Sequence, residues 1–149
     1  MIRYFSPVLI CLGYIGILFS QNTYPIILIH GFLGWGRDEM SGYYYWGGKT
    51  DLESELKSAG YEVYTVSVGP ISPNWDRAIE AFCQIKGGQV DYGNEKAEKH
   101  GIIQKPAGKN YPGFYPQWDA KHPVHLIGHS QGGSTAKMLE VLLQSSITG

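Results

Sequence analysis

The sequence is poor in charge and in cysteine, and neither sign of charge dominates. Of its 149 residues 17% are charged, and 12 Lys and Arg nearly balance 13 Asp and Glu. This balance excludes a basic nucleic-acid-binding protein and gives no electrostatic reason to expect an anionic membrane partner. By contrast, 20 Gly, 11 Tyr and 4 Trp indicate an ordered and turn-rich chain rather than a disordered one.

The first twenty residues have the pattern of a secretory signal peptide. Arg3 supplies one positive charge, residues 7–19 are almost purely apolar, and Ser20 ends the run. The run is too short for a membrane span, which takes about 20 residues, and a buried N-terminal strand or helix is the alternative. We therefore expect a signal peptide at residues 1–20, a folded part at residues 21–149, secretion, and no transmembrane anchor after cleavage.

Two cysteines leave little scope for a disulfide framework. Cys11 lies in the expected signal peptide, so Cys83 would remain alone in the secreted chain. Cys83 falls in an apolar helical pattern, which favours burial as a small hydrophobic residue over a role as a reactive thiol. The fold is therefore expected to depend on a hydrophobic core.

Strand and helix patterns alternate along the rest of the chain. Ile26–Ile29 is an unbroken apolar run, typical of a strand buried on both faces of a parallel sheet. Thr50 and Glu53 predict a capping box for a helix over residues 50–59, and Asn74 is predicted to cap a second helix that ends at Gly87. The other predicted elements are a strand at residues 61–68, a weakly patterned loop at residues 89–121, a buried strand at residues 124–127, and a helix that carries Ala136, Leu139 and Leu143. This order predicts an α/β fold with a parallel sheet and flanking helices.

The segment Gly128-His129-Ser130-Gln131-Gly132 matches G-x-S-x-G between a predicted strand and a predicted helix. A serine on such a sharp, strained turn leaves no room for side chains two residues away on either side, so both glycines are required. The following helix aims its first N–H groups at the oxyanion that forms when Ser130 attacks a carbonyl carbon. The motif alone has little specificity, and its position between strand and helix is what indicates a nucleophile.

A second glycine-containing segment, His30-Gly31-Phe32-Leu33-Gly34, follows the first buried strand. It is consistent with a plain tight turn, or with the loop that supplies the second oxyanion donor in an α/β-hydrolase. The Ser130 motif about a hundred residues later favours the second interpretation. The backbone N–H groups of Phe32 and Gln131 would then form the oxyanion hole.

Several long, aromatic-rich stretches occur in a specific order: PIILIHGFLGWG at 25–36, YWGG at 45–48, NWDRA at 74–78, GG at 87–88, VDYG at 90–93 and GHSQGG at 128–133. With these stretches, residues 24–144 resemble the N-terminal portion of the secreted true lipases of the staphylococcal and thermophilic bacillus type, in the α/β-hydrolase superfamily. The resemblance implies a partial α/β-hydrolase fold that ends after the Ser130 helix, with Ser130 as nucleophile and Phe32 and Gln131 as oxyanion-hole donors. It also implies hydrolysis of carboxylic esters, with triacylglycerols as the expected substrate class.

One departure from that family concerns a metal. The resemblance implies a structural zinc bound by two Asp and two His, and Asp76 matches the first ligand. The positions that match the histidines hold Lys96 and Ile102, which cannot replace imidazoles, so we predict no zinc. His100 matches a non-ligand position and is expected to be solvent-exposed. As a hypothesis, Lys96 pairs with Asp76 in place of the metal. No cofactor is expected in this chain, and calcium is implied only for an intact family member.

The larger departure is the absence of a general base after Ser130. In the α/β-hydrolase order an Asp or Glu and then a His follow the serine. The nineteen residues after Ser130 contain no His and no Asp, and Glu140 lies on the helix of the serine itself. None of the upstream histidines is expected to be the base: His30, His100, His122, His125 and His129. Because a serine without a base is a poor nucleophile, we expect this chain to be the inactive N-terminal part of a larger hydrolase.

Two functions remain open from the sequence. The first is the N-terminal part of a secreted lipase that acts on lipid esters at an oil–water interface. The second is a catalytically inactive secreted relative that binds lipid or a protein partner. The strained serine turn and both oxyanion elements favour the first, since an inactive relative has little reason to keep them. A three-stranded sheet with an open edge would also leave apolar faces uncovered in a complete small protein.

Overall fold

The computed structural model describes residues 23–147, in which helices alternate with short strands. The elements in chain order are β1 (Ile26–Ile29), α1 (Leu52–Ser58), β2 (Val63–Val66), α2 (Asn74–Lys86), β3 (Gly88–Gln89), α3 (Asn94–His100), β4 (Asn110–Tyr111), β5 (His125–Gly128) and α4 (Gln131–Ile147). The expected signal peptide at residues 1–20 lies outside the described residues. Within residues 23–147, none of the helices combines the length and the apolar character needed to cross a membrane.

Three strands form a parallel sheet in which β1 lies between β2 and β5. Ile26 is in register with Val63 and His125, and the pairing continues to the last residue of each strand. The parallel α/β sheet predicted from the strand and helix order is therefore confirmed. Because parallel strands end at the same edge of a sheet, the segments that follow Ile29 and Gly128 are neighbours there.

Both faces of β1 are buried, as its unbroken apolar run predicts. Ile27 and Ile29 lie in the main core with Leu139 of α4 and the apolar side of α2, and both are fully buried. Leu28 points to the opposite face, because successive side chains of a strand alternate, and it too is buried. β1 is thus the rigid centre on which the segments beyond its C-terminal end are placed.

β5 differs from its prediction as a strand buried on both faces. Ile127 is 45% exposed, and His125 and Leu126 are only half-buried. β5 is an edge strand of the sheet that residues 23–147 form. Its apolar composition predicted the strand correctly but not its place at the edge, because central and edge strands of a parallel sheet share this composition.

The two predicted helix caps are wrong by one residue each. Asp51, not Thr50, caps α1, because the Asp51 carboxylate accepts a hydrogen bond from the Ser54 N–H at 3.2 Å. Pro73, not Asn74, precedes α2, and Asn74 is already helical. Both helices nevertheless lie where the periodicity predicts them, since an error of one residue at a helix end is within the uncertainty of any boundary.

The weakly patterned segment at residues 89–121 is more ordered than predicted. It contains α3, and its β4 pairs antiparallel with β3 at the end of α2. Elements of two to seven residues are too short for a hydrophobic period to be recognised in the sequence.

Cys83 lies in a second, smaller core with Val90 and Tyr92, so its predicted burial is confirmed. Burial raises the pKa of the Cys83 thiol, which keeps it protonated. A protonated, buried thiol is a poor nucleophile, and this agrees with a packing role.

Candidate active site

Ser130 occupies the turn between β5 and α4 in a strained conformation. Its φ is 55°, in the left-handed region that residues other than glycine seldom adopt. The Gly132 N–H donates to the His129 carbonyl at 2.9 Å, and the Gly133 N–H donates to the Ser130 carbonyl at 3.0 Å, so the chain turns directly into α4. The Ser130 side chain is exposed. This is the strand-to-helix turn that the motif predicts.

Gly128 and Gly132 stand where the backbone of α4 closely approaches the sheet. A Cβ on Gly128 would lie 2.2 Å from the carbonyl carbon of Gly132, and a Cβ on Gly132 would lie 2.0 Å from the Ile29 carbonyl oxygen. Both obstacles are backbone atoms, which cannot rotate away as a side chain can. The two glycines of the motif are therefore required by sterics, for the reason that the spacing suggested.

The loop after β1 runs beside Ser130. A Cβ on Gly31 would lie 2.9 Å from both the Ser130 Cβ and the His129 carbonyl oxygen. The Gly34 N–H donates to the Gly31 carbonyl at 3.1 Å and closes a turn in which Leu33 has a φ of 56°. The two segments singled out in the sequence are thus brought together at the C-terminal edge of the sheet.

The backbone N–H groups of Phe32 and Gln131 have no hydrogen-bond acceptor among residues 23–147. Phe32 directly follows Gly31, and Gln131 directly follows Ser130. The first turn of α4 carries no acidic side chain, so no carboxylate there offsets the positive end of the helix dipole. Two unpaired N–H groups beside an exposed serine are suited to donate hydrogen bonds to a negatively charged oxygen.

Three large apolar side chains are exposed on the β1 loop and on the segment after β2: Phe32 (59%), Leu33 (62%) and Ile71 (70%). The segment that carries Ile71 is attached to the site, because the Leu33 N–H donates to the Pro70 carbonyl at 2.8 Å. The Gln131 side-chain amide donates to the Ser72 carbonyl at 3.1 Å. Exposed apolar side chains therefore lie on two segments that are hydrogen-bonded to each other and to the start of α4.

A fully buried arginine, Arg77 of α2, joins three segments behind the site. Its Nε donates to the Thr135 hydroxyl of α4 at 2.9 Å, Nη1 donates to the Gly69 carbonyl at 2.6 Å, and Nη2 donates to the His30 carbonyl. Burial lowers the pKa of Arg77 from its usual range. The guanidinium fixes α4, the segment after β2 and the end of β1 relative to one another.

Glu80, one helical turn after Arg77, is the centre of a second buried hydrogen-bond network. Its carboxylate accepts hydrogen bonds from the Gly69 N–H at 2.8 Å, the Tyr92 hydroxyl at 2.5 Å and the Lys109 ammonium at 2.6 Å. Burial and this carboxylate together raise the pKa of Tyr92. Glu80 is 1% exposed and satisfied on both oxygens, so it supports the loop after β2 rather than reacting.

The sequence did not identify Arg77 and Glu80 as supporting residues of the site, although their spacing along α2 could have indicated them. With Gln84 they recur at i, i+3 and i+7, and all three are buried on one side of α2. By contrast, the aromatic side chain of Trp75 on the same helix is 43% exposed. Charged residues on a helix are usually solvated, so the sequence pattern favours exposure of this stripe.

His30 is fully buried, and both of its ring nitrogens are bonded to the backbone. Nδ1 lies 2.9 Å from the Gly31 carbonyl and Nε2 accepts from the Val68 N–H at 3.2 Å, so Nδ1 carries the proton of a neutral ring. Burial lowers the pKa of His30. This histidine therefore supports the loop after β1.

The other histidines also have contacts away from the serine. Nδ1 of His122 bonds the Asp119 carboxylate at 2.8 Å, and that bond holds the pKa of Asp119 below its usual range. His129 bonds the Tyr45 hydroxyl, and the ring of His125 lies beside that of Tyr24. His100 is exposed, as predicted. Within residues 23–147, no hydrogen bond joins an imidazole to Ser130.

The residues at the expected metal position do not fit zinc. The Lys96 ammonium forms an ion pair with Asp76, as hypothesised from the sequence, and it lies 5.9 Å from the centre of the Tyr92 ring. A protonated amine has no lone pair to give to a metal. Here the Lys96 ammonium is bound to the Asp76 carboxylate, which would otherwise be a ligand. In the part of the chain that the structure describes, no three His, Cys, Asp or Glu side chains converge on one point.

Known proteins resemble this chain in both sequence and structure. Residues 22–148 match the family described as lipase-like, C-terminal domain. Lipase 2 of Staphylococcus aureus is 43% identical over 127 residues, which span 83% of this chain but only 18% of that protein. The crystal structure of Staphylococcus hyicus lipase matches with a TM-score of 0.74 at 39% identity, over 87% of this chain and 36% of that one. EstA from Clostridium botulinum matches with a TM-score of 0.74 at 51% identity, over 79% of this chain and 27% of that one.

These matches confirm the resemblance to staphylococcal lipases that the motifs indicate. The family match extends over the β1 loop, the Ser130 turn and the helices that support them. The family match covers all of the described residues. The chain belongs to the family of lipase-like C-terminal domains.

Proposed function

We propose that this chain carries the nucleophile and the oxyanion hole of a serine carboxylic-ester hydrolase with the α/β-hydrolase fold. The observation that carries this assignment is the strained, exposed Ser130, held beside Gly31 at 2.9 Å from where a Gly31 Cβ would be. The unpaired N–H groups of Phe32 and Gln131 support it, since they lie on the residues that follow Gly31 and Ser130.

In the reaction, Ser130 Oγ attacks the carbonyl carbon of the ester and the carbonyl oxygen becomes an oxyanion. The N–H groups of Phe32 and Gln131 donate to that oxygen, and the N-terminal end of α4 adds the field of its dipole. The alcohol leaves with a proton and an acyl-serine remains, which water then hydrolyses to release the fatty acid. A rigid donor pair is effective because it requires no reorganisation as charge develops.

The proton of Ser130 passes to a general base that lies outside residues 23–147. His30 has no free ring nitrogen, and among residues 23–147 no imidazole is hydrogen-bonded to Ser130. The chain on its own therefore retains the oxyanion hole but does not turn over substrate at a useful rate.

The substrate class is a long-chain acylglycerol, with triacylglycerol as the main example, met at an oil–water interface. The exposed Phe32, Leu33 and Ile71 support this choice, because they leave apolar surface uncovered on the β1 loop and on the segment bonded to it. The relatives named as lipases support the same class. The signal-peptide pattern of residues 1–20 supports secretion of the enzyme. The proposed reaction has no step that uses zinc.

The test is hydrolysis of a triacylglycerol emulsion by the full-length protein and by two single-site variants. Ser130→Ala removes the nucleophile, and we expect a loss of at least roughly a thousandfold in kcat. Ser134→Ala is the matched control, since Ser134 lies in the first turn of α4, just after Ser130, and is exposed. We expect the control to hydrolyse the emulsion at the rate of the unmodified protein.

Two outcomes would contradict the assignment. Equal rates in Ser130→Ala and the unmodified protein would exclude Ser130 as the nucleophile. Absence of hydrolysis by the unmodified protein, with retained binding to lipid droplets, would instead favour a catalytically inactive lipid-binding relative.

A further inference from the structure

The hydroxyl of Tyr45 bridges the two segments that form the candidate active site. It accepts a hydrogen bond from the Gly31 N–H at 3.0 Å and lies 2.6 Å from Nδ1 of His129. Gly31 precedes Phe32, and His129 precedes Ser130. A single oxygen atom therefore contacts the backbone next to one proposed oxyanion donor and the side chain next to the nucleophile.

This bridge lies where the two segments come closest. A Cβ on Gly31 would lie 2.9 Å from the Tyr45 hydroxyl, the same distance as from the Ser130 Cβ and the His129 carbonyl oxygen. The peptide groups of Gly31 are also held on the other side, because the His30 ring bonds the Gly31 carbonyl at 2.9 Å. The orientation of the Gly31–Phe32 segment is thus set by two side chains, one at the N–H and one at the carbonyl.

The Tyr45 ring is itself held in place by its aromatic neighbours. It makes edge-on contacts with Trp35 at 5.4 Å and with Trp46 at 5.7 Å between ring centres. A Cβ on Gly34 would lie 2.7 Å from the ring atom Cε2 of Tyr45, so the ring packs directly on the β1 loop. A ring fixed in this way can hold its hydroxyl at one point, which a loosely packed side chain cannot do.

We propose that Tyr45 is a positioning residue for the ester hydrolysis assigned above: its hydroxyl sets the distance between the Phe32 donor and Ser130. The inference rests on that proposed function. Tyr45 takes no part in bond making. It keeps the Gly31 N–H bonded to a fixed oxygen, so that the next N–H along the chain points at the oxyanion.

The consequence is specific to the transition state. An oxyanion donor contributes mainly when negative charge develops on the carbonyl oxygen, so its misplacement lowers kcat and leaves the binding of the uncharged ester nearly unchanged. Complete removal of one such donor costs about 100- to 1,000-fold in kcat. A donor that is displaced but not removed should cost about tenfold or more.

The experiment measures kcat and KM of the full-length protein with p-nitrophenyl butyrate, a soluble ester that avoids the interface. Tyr45→Phe removes the hydroxyl and keeps the ring, and we expect kcat to fall about 10- to 100-fold while KM changes less than about twofold. Tyr43→Phe is the matched control: Tyr43 contacts Trp35 through its ring and is 51% exposed. We expect this control to leave both constants unchanged.

If Tyr45→Phe does not fold, His129→Gln tests the same bridge, because it removes the imidazole that contacts the Tyr45 hydroxyl. The ¹⁵N NMR signal of His129 Nδ1 gives a readout that does not depend on catalysis. It should move in Tyr45→Phe and stay in place in Tyr43→Phe.

The inference is overturned if Tyr45→Phe has the kcat of Tyr43→Phe, or if its KM rises in proportion to the loss of kcat. An unchanged Nδ1 signal in Tyr45→Phe would overturn it as well. Hydrolysis retained in Ser130→Ala would instead overturn the proposed function. With Ser130→Ala inactive and Tyr45→Phe fully active, the proposed function stands and only the role of Tyr45 is wrong.

Discussion

Replacement of the buried Arg77 by methionine should strongly destabilise the fold around the site. Methionine fills much of the space of the arginine side chain but donates no hydrogen bond. The change removes the bonds to Thr135, Gly69 and His30 and leaves two backbone carbonyls without these donors. Hydrogen bonds from a charged donor contribute about 1.5–3 kcal/mol each.

Release of the guanidinium from the interior offsets part of that loss, because a buried charge is costly in itself. We therefore expect Arg77→Met to lower the free energy of unfolding by about 3–5 kcal/mol. A typical domain has about 5–15 kcal/mol in total. Urea-induced unfolding of the full-length protein, followed by circular dichroism, measures the difference.

Lys137→Met is the matched control, since it also replaces one cation by methionine on a neighbouring helix. Lys137 is 75% exposed, and among the described residues its ion-pair partner is Glu140. An exposed pair of this kind contributes about 0.2–1 kcal/mol. If Arg77→Met cost no more than Lys137→Met, the view that Arg77 holds the three segments together would be refuted.

Three further predictions concern sterics, the ion pair and pH. In Gly132→Ala the new Cβ would lie 2.0 Å from a carbonyl oxygen of β1, so we expect poor folding, whereas Gly133→Ala, whose nearest atom would be 3.8 Å away, should keep or raise the melting temperature. Elemental analysis of the full-length protein should find no stoichiometric zinc bound to the chain, and Lys96→Ala should lower the melting temperature because Asp76 loses its partner. The pKa of His30 is lowered by burial from 6.5, so the unfolded chain binds the extra proton first, and stability should fall as the pH drops below about 6.5. His30→Asn should make this fall shallower in urea titrations repeated across that range, and identical slopes would contradict it.

The sequence predicted the features of the site that depend on short-range order. The unbroken apolar run of Ile26–Ile29 predicted a central strand, and the glycines around Ser130 predicted a tight turn into a helix. Parallel strands bring their C-terminal ends to one edge, which is sufficient to expect Gly31 near Ser130. The structure contains all three features.

The groups that support the site could not be predicted in this way. The partners of Arg77 are residues 30, 69 and 135, and those of Tyr45 are residues 31 and 129, so each set spans a large part of the chain. Hydrophobic periodicity identifies the face of a helix that is apolar, but not which charge is buried against a distant carbonyl. The exposed edge of β5 was missed for a related reason, because its composition does not distinguish it from a central strand.

The order of the strands also determines when the site can assemble. β2 follows β1 closely along the chain, but β5, the other neighbour of β1, begins about a hundred residues after β1. At about 5–20 residues per second, a ribosome needs roughly 5–20 s to make that stretch. During this interval β1 has no β5 to pair with on one side. Neither the turn of Ser130 nor its contact with Gly31 has formed. The turn of Ser130 and its contact with Gly31 therefore form only after the supporting helix α2 and the Tyr45 loop have already emerged.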